Sequence, residues 1–156
     1  MTRQQYYGLV VAILIAIQLA SANLASAEST ETEISRLVPL PRKIAIVPPS
    51  PDLPKEIAAF SGRWEGFWEA NNLPTILIVE EINLREAKVI HAWGKAVYFP
   101  ADYERSKVKV IGKEIQFTTK GCQFKFIIDE DLKTIRGTRQ CPGGGISSSI
   151  TMKKIE

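Results

Sequence analysis

Histidine is almost missing from this chain, which carries one, His91, among 156 residues. Triad catalysis needs a nucleophile, a histidine and an orienting acid, and no Gly-x-Ser-x-Gly elbow accompanies His91. One histidine is also too few for a metal centre. Cysteine is nearly as scarce: Cys122 and Cys141 are the pair present, without Cys-x-x-Cys spacing and unable to form a zinc site alone. Nor does one sign of charge dominate. The 20 Lys and Arg stand against 17 Asp and Glu, a formal +3, and they are interspersed instead of forming the basic block that grips phosphate backbones. Nucleic acid is therefore a poor partner. Paired carboxylates are lacking too. Glu80 and Glu81 are adjacent, so at most one enters an interior, and Glu65 and Glu69 share the face opposite Trp64 and Trp68, which places them in solvent. The glycines 143–145 precede Ser147–Ser149 without the Gly-Lys-Ser/Thr ending of a phosphate loop, and read as a flexible connection. The chain is not expected to be an enzyme, and no catalytic residue, metal or cofactor is assigned.

A long apolar run is also lacking. Residues 9–20 are apolar, about 12 positions against the roughly 20 of a spanning helix. Arg3 before them and Ala25-Ser26-Ala27 after them complete a cleavable signal peptide over 1–27, with Ala20-Ser21-Ala22 as an earlier alternative cut. An uncleaved anchor is the rival reading. The expected location is the periplasm or the exterior, with no stable membrane insertion after cleavage. Arg3 is the one charge in the leader, so its loss takes the formal charge from +3 to +2.

Beyond the leader the chain has two textures. Residues 28–56 open acidic and then carry Pro39, Pro41, Pro48, Pro49, Pro51 and Pro54. Proline removes ladder donors and fixes φ, so this is an extended arm or linker, not a strand. A pure linker is favoured, although Leu37, Val38, Ile44, Ile46 and Val47 are apolar enough to dock. Residues 57–156 hold about eight strand-like segments: 62–69, 75–82, 87–93, 107–111, 114–118, 122–128, 133–140 and 146–153. Short turns separate them and no helical period appears. The expectation is an all-β domain, a small up-and-down antiparallel barrel or a sandwich, with the barrel preferred.

In an exported chain the cysteines are expected to pair, two buried thiols being the alternative. If Cys122 faces Cys141 across a hairpin, then Phe124 faces Arg139, Phe126 faces Gly137 and Ile128 faces Ile135. Trp64, Gly66 and Trp68 share one strand face. Together with Phe124 and Phe126 these indoles are expected to line an apolar interior, with Arg139 and one of Trp93, Tyr98 or Tyr103 near a mouth and His91 packed or at the rim. A filled core is preferred to an open pocket, because eight-stranded barrels are often just wide enough for their own side chains.

Gly62-x-Trp64 at the start of the first strand resembles the calycin superfamily of lipocalins and avidins. In lipocalins such a tryptophan sits at the closed barrel end beneath an arginine from a late strand, which implies Arg139 here. The longer set Phe60-Ser61-Gly62-Arg63-Trp64-Glu65-Gly66, Leu77-Ile78-Val79-Glu80-Glu81-Ile82 and Ala92-Trp93-Gly94 resembles a family of uncharacterised bacterial exported domains, with His91 where that family has tyrosine. The resemblance implies a calycin-like barrel over 57–156 and no particular activity. The expected function is to hold a small hydrophobic ligand among Trp64, Trp68, His91, Trp93, Phe124, Phe126 and Arg139. The alternative is an interaction or inhibitor module for an exported hydrolase or protease. In outline the chain is similar to secreted inhibitors of bacterial metalloproteases, and residues 28–55 would be the inserting segment.

Overall fold

From Gly62 onward, apolar and polar residues alternate in short runs, and in the computed structural model each run is a strand. The structure describes residues 32–142 and 147–155; the signal peptide expected over 1–27 lies outside them. The strands are β1 (Gly62–Trp68), β2 (Leu73–Ile82), β3 (Glu86–Trp93), β4 (Asp102–Ile111), β5 (Glu114–Thr119), β6 (Cys122–Ile128), β7 (Thr134–Gln140) and β8 (Ser148–Ile155). Each pairs antiparallel with its sequence neighbour, and β8 returns to β1, closing the barrel. The all-β up-and-down barrel of eight strands is thus the architecture.

Turn chemistry fixes the register. Lys120 and Gly121 both have positive φ (50° and 78°), which suits the tight two-residue hairpin between β5 and β6, since primed turns match strand twist. Across β6 and β7 the partners are Phe124 with Arg139, Phe126 with Gly137 and Ile128 with Ile135, and Cys122 is disulfide-bonded to Cys141. The register that the cysteines imply is the one found. Gly66 marks a close approach of β1 to β8. A Cβ there would lie 2.4 Å from the Thr151 carbonyl oxygen on β8.

Strand β4 begins at Asp102, five residues before the expected 107. Its early residues, Tyr103 to Ser106, lack the apolar alternation of a covered strand, because their inner positions, Glu104 and Ser106, are polar. Beyond Lys109–Gln116 the pairing of β4 with β5 stops. A polar groove of about 530 Å³ opens there between Glu104, Ser106, Thr118 and Gln123. The Thr119 hydroxyl donates to the Glu104 carboxylate.

One end of the barrel is plugged. Two short helices precede the strands, α1 (Glu33–Leu37) and α2 (Lys55–Ala58). Helix α2 follows Pro54 and sends Ile57, with Phe60 behind it, into the core beside Trp64, Val79, Ile115 and Ile135. Burying such side chains is worth roughly 1.5–3 kcal/mol each.

The arm is not a free linker. Helix α1 is capped by the Thr32 hydroxyl, and Ile34 and Val38 cover Ile76, Ile78, Ile90 and Ala92 on the outer wall. Strand β2 is consequently buried on both faces, which explains its nearly unbroken apolar run, Leu73 to Val79. Two carboxylates lie beneath the arm. Glu65, 5% exposed where solvent was expected, is paired with Arg63 (2.6 Å) and accepts from Thr32 and Ser35. Glu80, 2% exposed, sits at a bulge. Its Oε1 accepts from Arg105 Nη2 at 3.1 Å, and its Oε2 lies in ion-pair range of Arg105 Nε at 3.0 Å. Neither acid of the 80–81 pair enters the barrel: Lys88 lies near both on the outer side (3.9 and 3.4 Å).

Candidate functional site

Opposite the plugged end, the barrel is open. A cavity of about 440 Å³ lies inside the mouth, walled by Trp68, Leu73, Trp93, Phe99 and Phe124, with His91 and Arg139 as inner polar members. The Cys122–Cys141 bridge ties its rim. The preferred expectation of a filled interior is therefore corrected for this end: with Tyr98 94% exposed and Phe99 lining the wall, the β3–β4 connection flanks the opening without filling it.

Of the seven ligand-lining residues expected, Trp68, His91, Trp93, Phe124 and Arg139 converge on this cavity. Trp64 and Phe126 do not line it. Phe126 lies lower, across bare Gly137. Trp64 belongs to the plugged end, where its Nε1 donates to the Phe60 carbonyl at 2.7 Å. The cation over Trp64 is Lys154, with Nζ 5.2 Å from the ring, not Arg139. Register explains the exchange: Lys154 is directly opposite Trp64 across β1 and β8, whereas Arg139 is opposite Ser148 at the mouth. The Lys154 ammonium also donates to the Ala59 carbonyl (2.9 Å), and burial pushes its pKa down.

Strand β3 carries His91 to the cavity wall, 4% exposed, among Phe124, Phe117 and Trp93 at ring separations of 4.8, 5.4 and 5.4 Å. Neither imidazole nitrogen has a hydrogen-bond partner. Burial first, and the positive charge of Arg139 second, push its pKa down to about 3, so the ring is neutral at ordinary pH. Arg139, 7% exposed, lies over the Trp68 ring with its guanidinium carbon 4.8 Å from the centroid. Its Nε is buried without a partner, and burial lowers its pKa. Among the described residues no carboxylate pairs with it: Asp102, on the same cavity wall, accepts from the Tyr103 amide, and Glu104 accepts from Thr119.

Leu73, Phe99 and Thr119 also line the wall but were not singled out from sequence. Phe99 stands in an aromatic, proline-containing connection, which is a visible signal. Thr119, the last residue of β5, offers none. Among the described residues no three of His, Cys, Asp and Glu converge as metal ligands, and no helix is long and apolar enough to cross a membrane. No protein-family model matches the chain, and no curated protein matches it significantly.

Proposed function

We propose that this is an exported, non-enzymatic binding protein that holds a small, largely apolar ligand in the mouth of a calycin-like barrel. The observation that carries the reading is the cavity of about 440 Å³ with its aromatic wall. Ligand sites typically have about 300–1,000 Å³, apolar linings and few polar groups. Export is supported by the leader-like residues 1–27 and by a disulfide, which persists in oxidising compartments. The non-enzymatic reading is supported by His91, neither of whose nitrogens is hydrogen-bonded to a nucleophile or an orienting acid.

The rival reading, an arm that enters a partner hydrolase, draws less support. Residues 32–47 are engaged with the barrel: the Val47 amide donates to the Glu80 carbonyl at 2.8 Å, and Arg105 donates to the Lys43 carbonyl. The test is native mass spectrometry of the protein recovered after export, together with tryptophan fluorescence during titration with apolar probes. A copurifying small molecule, or saturable quenching at Trp68 and Trp93, is the expected result. Bare protein that no probe quenches or stabilises would sink the reading.

A further inference from the structure

Two polar groups of the mouth cavity lack partners, in a wall that is mainly apolar but also carries Asn71, Asp102, Thr119 and Lys120. The Arg139 guanidinium carries a full positive charge and five N–H donors in a planar fork. Its flat face is taken by Trp68, while Nε is buried and unbonded. The imidazole of His91, close enough to feel that charge, offers one further N–H donor in its neutral form and bonds nothing through either nitrogen. Buried polar groups are nearly always satisfied, and exceptions call for an explanation. A buried charge without a counter-charge is costlier still.

Resting on the binding reading above, we propose that Arg139 and His91 form a head-group subsite for the carboxylate of an amphipathic monocarboxylic acid. One buried positive charge matches one negative charge. The planar fork matches two carboxylate oxygens, and the neutral imidazole supplies a further donor. The apolar body of the acid then lies along Trp68, Leu73, Trp93, Phe99 and Phe124. A dianionic phosphate fits less well. Its second charge has no buried partner, since the other nearby cation, Lys120, is exposed at the rim, with Nζ 6.0 Å from the Trp93 ring. The outward-turned carboxylates strengthen the assignment: Glu80 is already neutralised by Arg105 on the outer wall, and Glu65 by Arg63. This chain supplies those acids with cations, yet leaves the cavity cation unpaired among the described residues.

The experiment uses the full chain expressed with its own leader, and titrates it at pH 7.5 with sodium decanoate, 1-decanol and decyl phosphate, read by calorimetry and tryptophan fluorescence. Charge-assisted hydrogen bonds are worth about 1.5–3 kcal/mol, so decanoate should bind about 10- to 100-fold tighter than decanol. Arg139→Met, which keeps an apolar stem over Trp68, should bring the two to near equality, chiefly by weakening decanoate. The Arg139 Nε–H resonance should move downfield with decanoate and not with decanol, a readout that does not need the variant to fold. Equal binding of decanoate and decanol by the unmodified protein overturns the head-group assignment but leaves the apolar cavity standing. Tighter binding of decyl phosphate than decanoate overturns the choice of carboxylate. If no probe binds, the cavity reading fails, and the inference with it.

Discussion

Phe126 lies flat across Gly137 on the neighbouring strand: a Cβ on that glycine would come within 2.6 Å of two Phe126 ring carbons and 2.7 Å of Ile150 Cγ2. Phe126 is completely buried and cannot retreat without displacing Trp68, whose ring centroid is 6.3 Å away. Gly137→Ala should therefore destabilise the fold by about 1–3 kcal/mol, the usual cost of overpacking. A lowered urea midpoint at unchanged m-value is the expected result.

The arm is held through Glu65. Glu65→Gln keeps the shape but removes the charge that pairs with Arg63 and accepts from Thr32 and Ser35. A loss of about 1–3 kcal/mol is expected for a buried charged acceptor. Limited proteolysis should cut the variant within residues 32–47 first, while the barrel fragment resists. An uncut arm would mean that Ile34 and Val38 hold it unaided.

His91 makes stability depend on pH in a defined direction. Its pKa is held at about 3, against an ordinary 6.5. Below pH 6.5 the unfolded chain takes up a proton that the folded chain refuses. Stability is complete above 6.5, falls as pH drops, and stops falling near 3. Between about pH 7.5 and 5 the loss should be about 2 kcal/mol. The charged groups around the ring are Arg139 on β7, Glu104 opposite it on β4, and Asp102 and Lys120 at the mouth. Denaturation of His91→Gln over that range should show a flatter profile than the unmodified protein. Parallel profiles would show that the ring protonates freely in the fold.

Removing the unpaired cation should stabilise the empty protein. Arg139→Met gives up a cation–π contact worth about 0.5–2 kcal/mol and relieves an uncompensated buried charge, whose desolvation outweighs that contact. The expected net result is a melting temperature raised by a few degrees, about 1 kcal/mol. A large fall in melting temperature would mark Arg139 as a packing residue of the Trp68 layer.

Reducing the disulfide should cost about 3 kcal/mol, given a sequence separation of 19 between Cys122 and Cys141 and the chain-entropy relation. Thermal melts with and without reductant provide the check. Probe affinity should weaken as well, since both cysteines stand at the cavity rim.

The barrel was legible because its strands alternate and most of its turns carry glycine, asparagine or proline, and one cysteine pair sufficed to set the β6–β7 register. The convergence of Trp68, His91, Trp93, Phe124 and Arg139 was legible from the same parity. Depth along the barrel was not. Parity tells which face Trp64 and Trp68 share, but not that four residues of strand carry one to the plug and the other to the mouth. The burial of Glu65 and Glu80 was hidden for a related reason: a charged residue on an outward face reads as solvated unless the sequence reveals what covers it. Here the cover is a proline-rich segment distant in the chain. The start of β4 escaped because polar residues face both sides of a strand that borders a groove.

The uneven stitching between β4 and β5 has a mechanical consequence. Three residue pairs join these strands, Lys109 to Ile111 with Gln116 to Glu114, and above them the Thr119–Glu104 bond is a lone clasp. A cylinder gapes along its loosest join, so the amides of this flank should exchange their hydrogens before those of the rim that the disulfide braces.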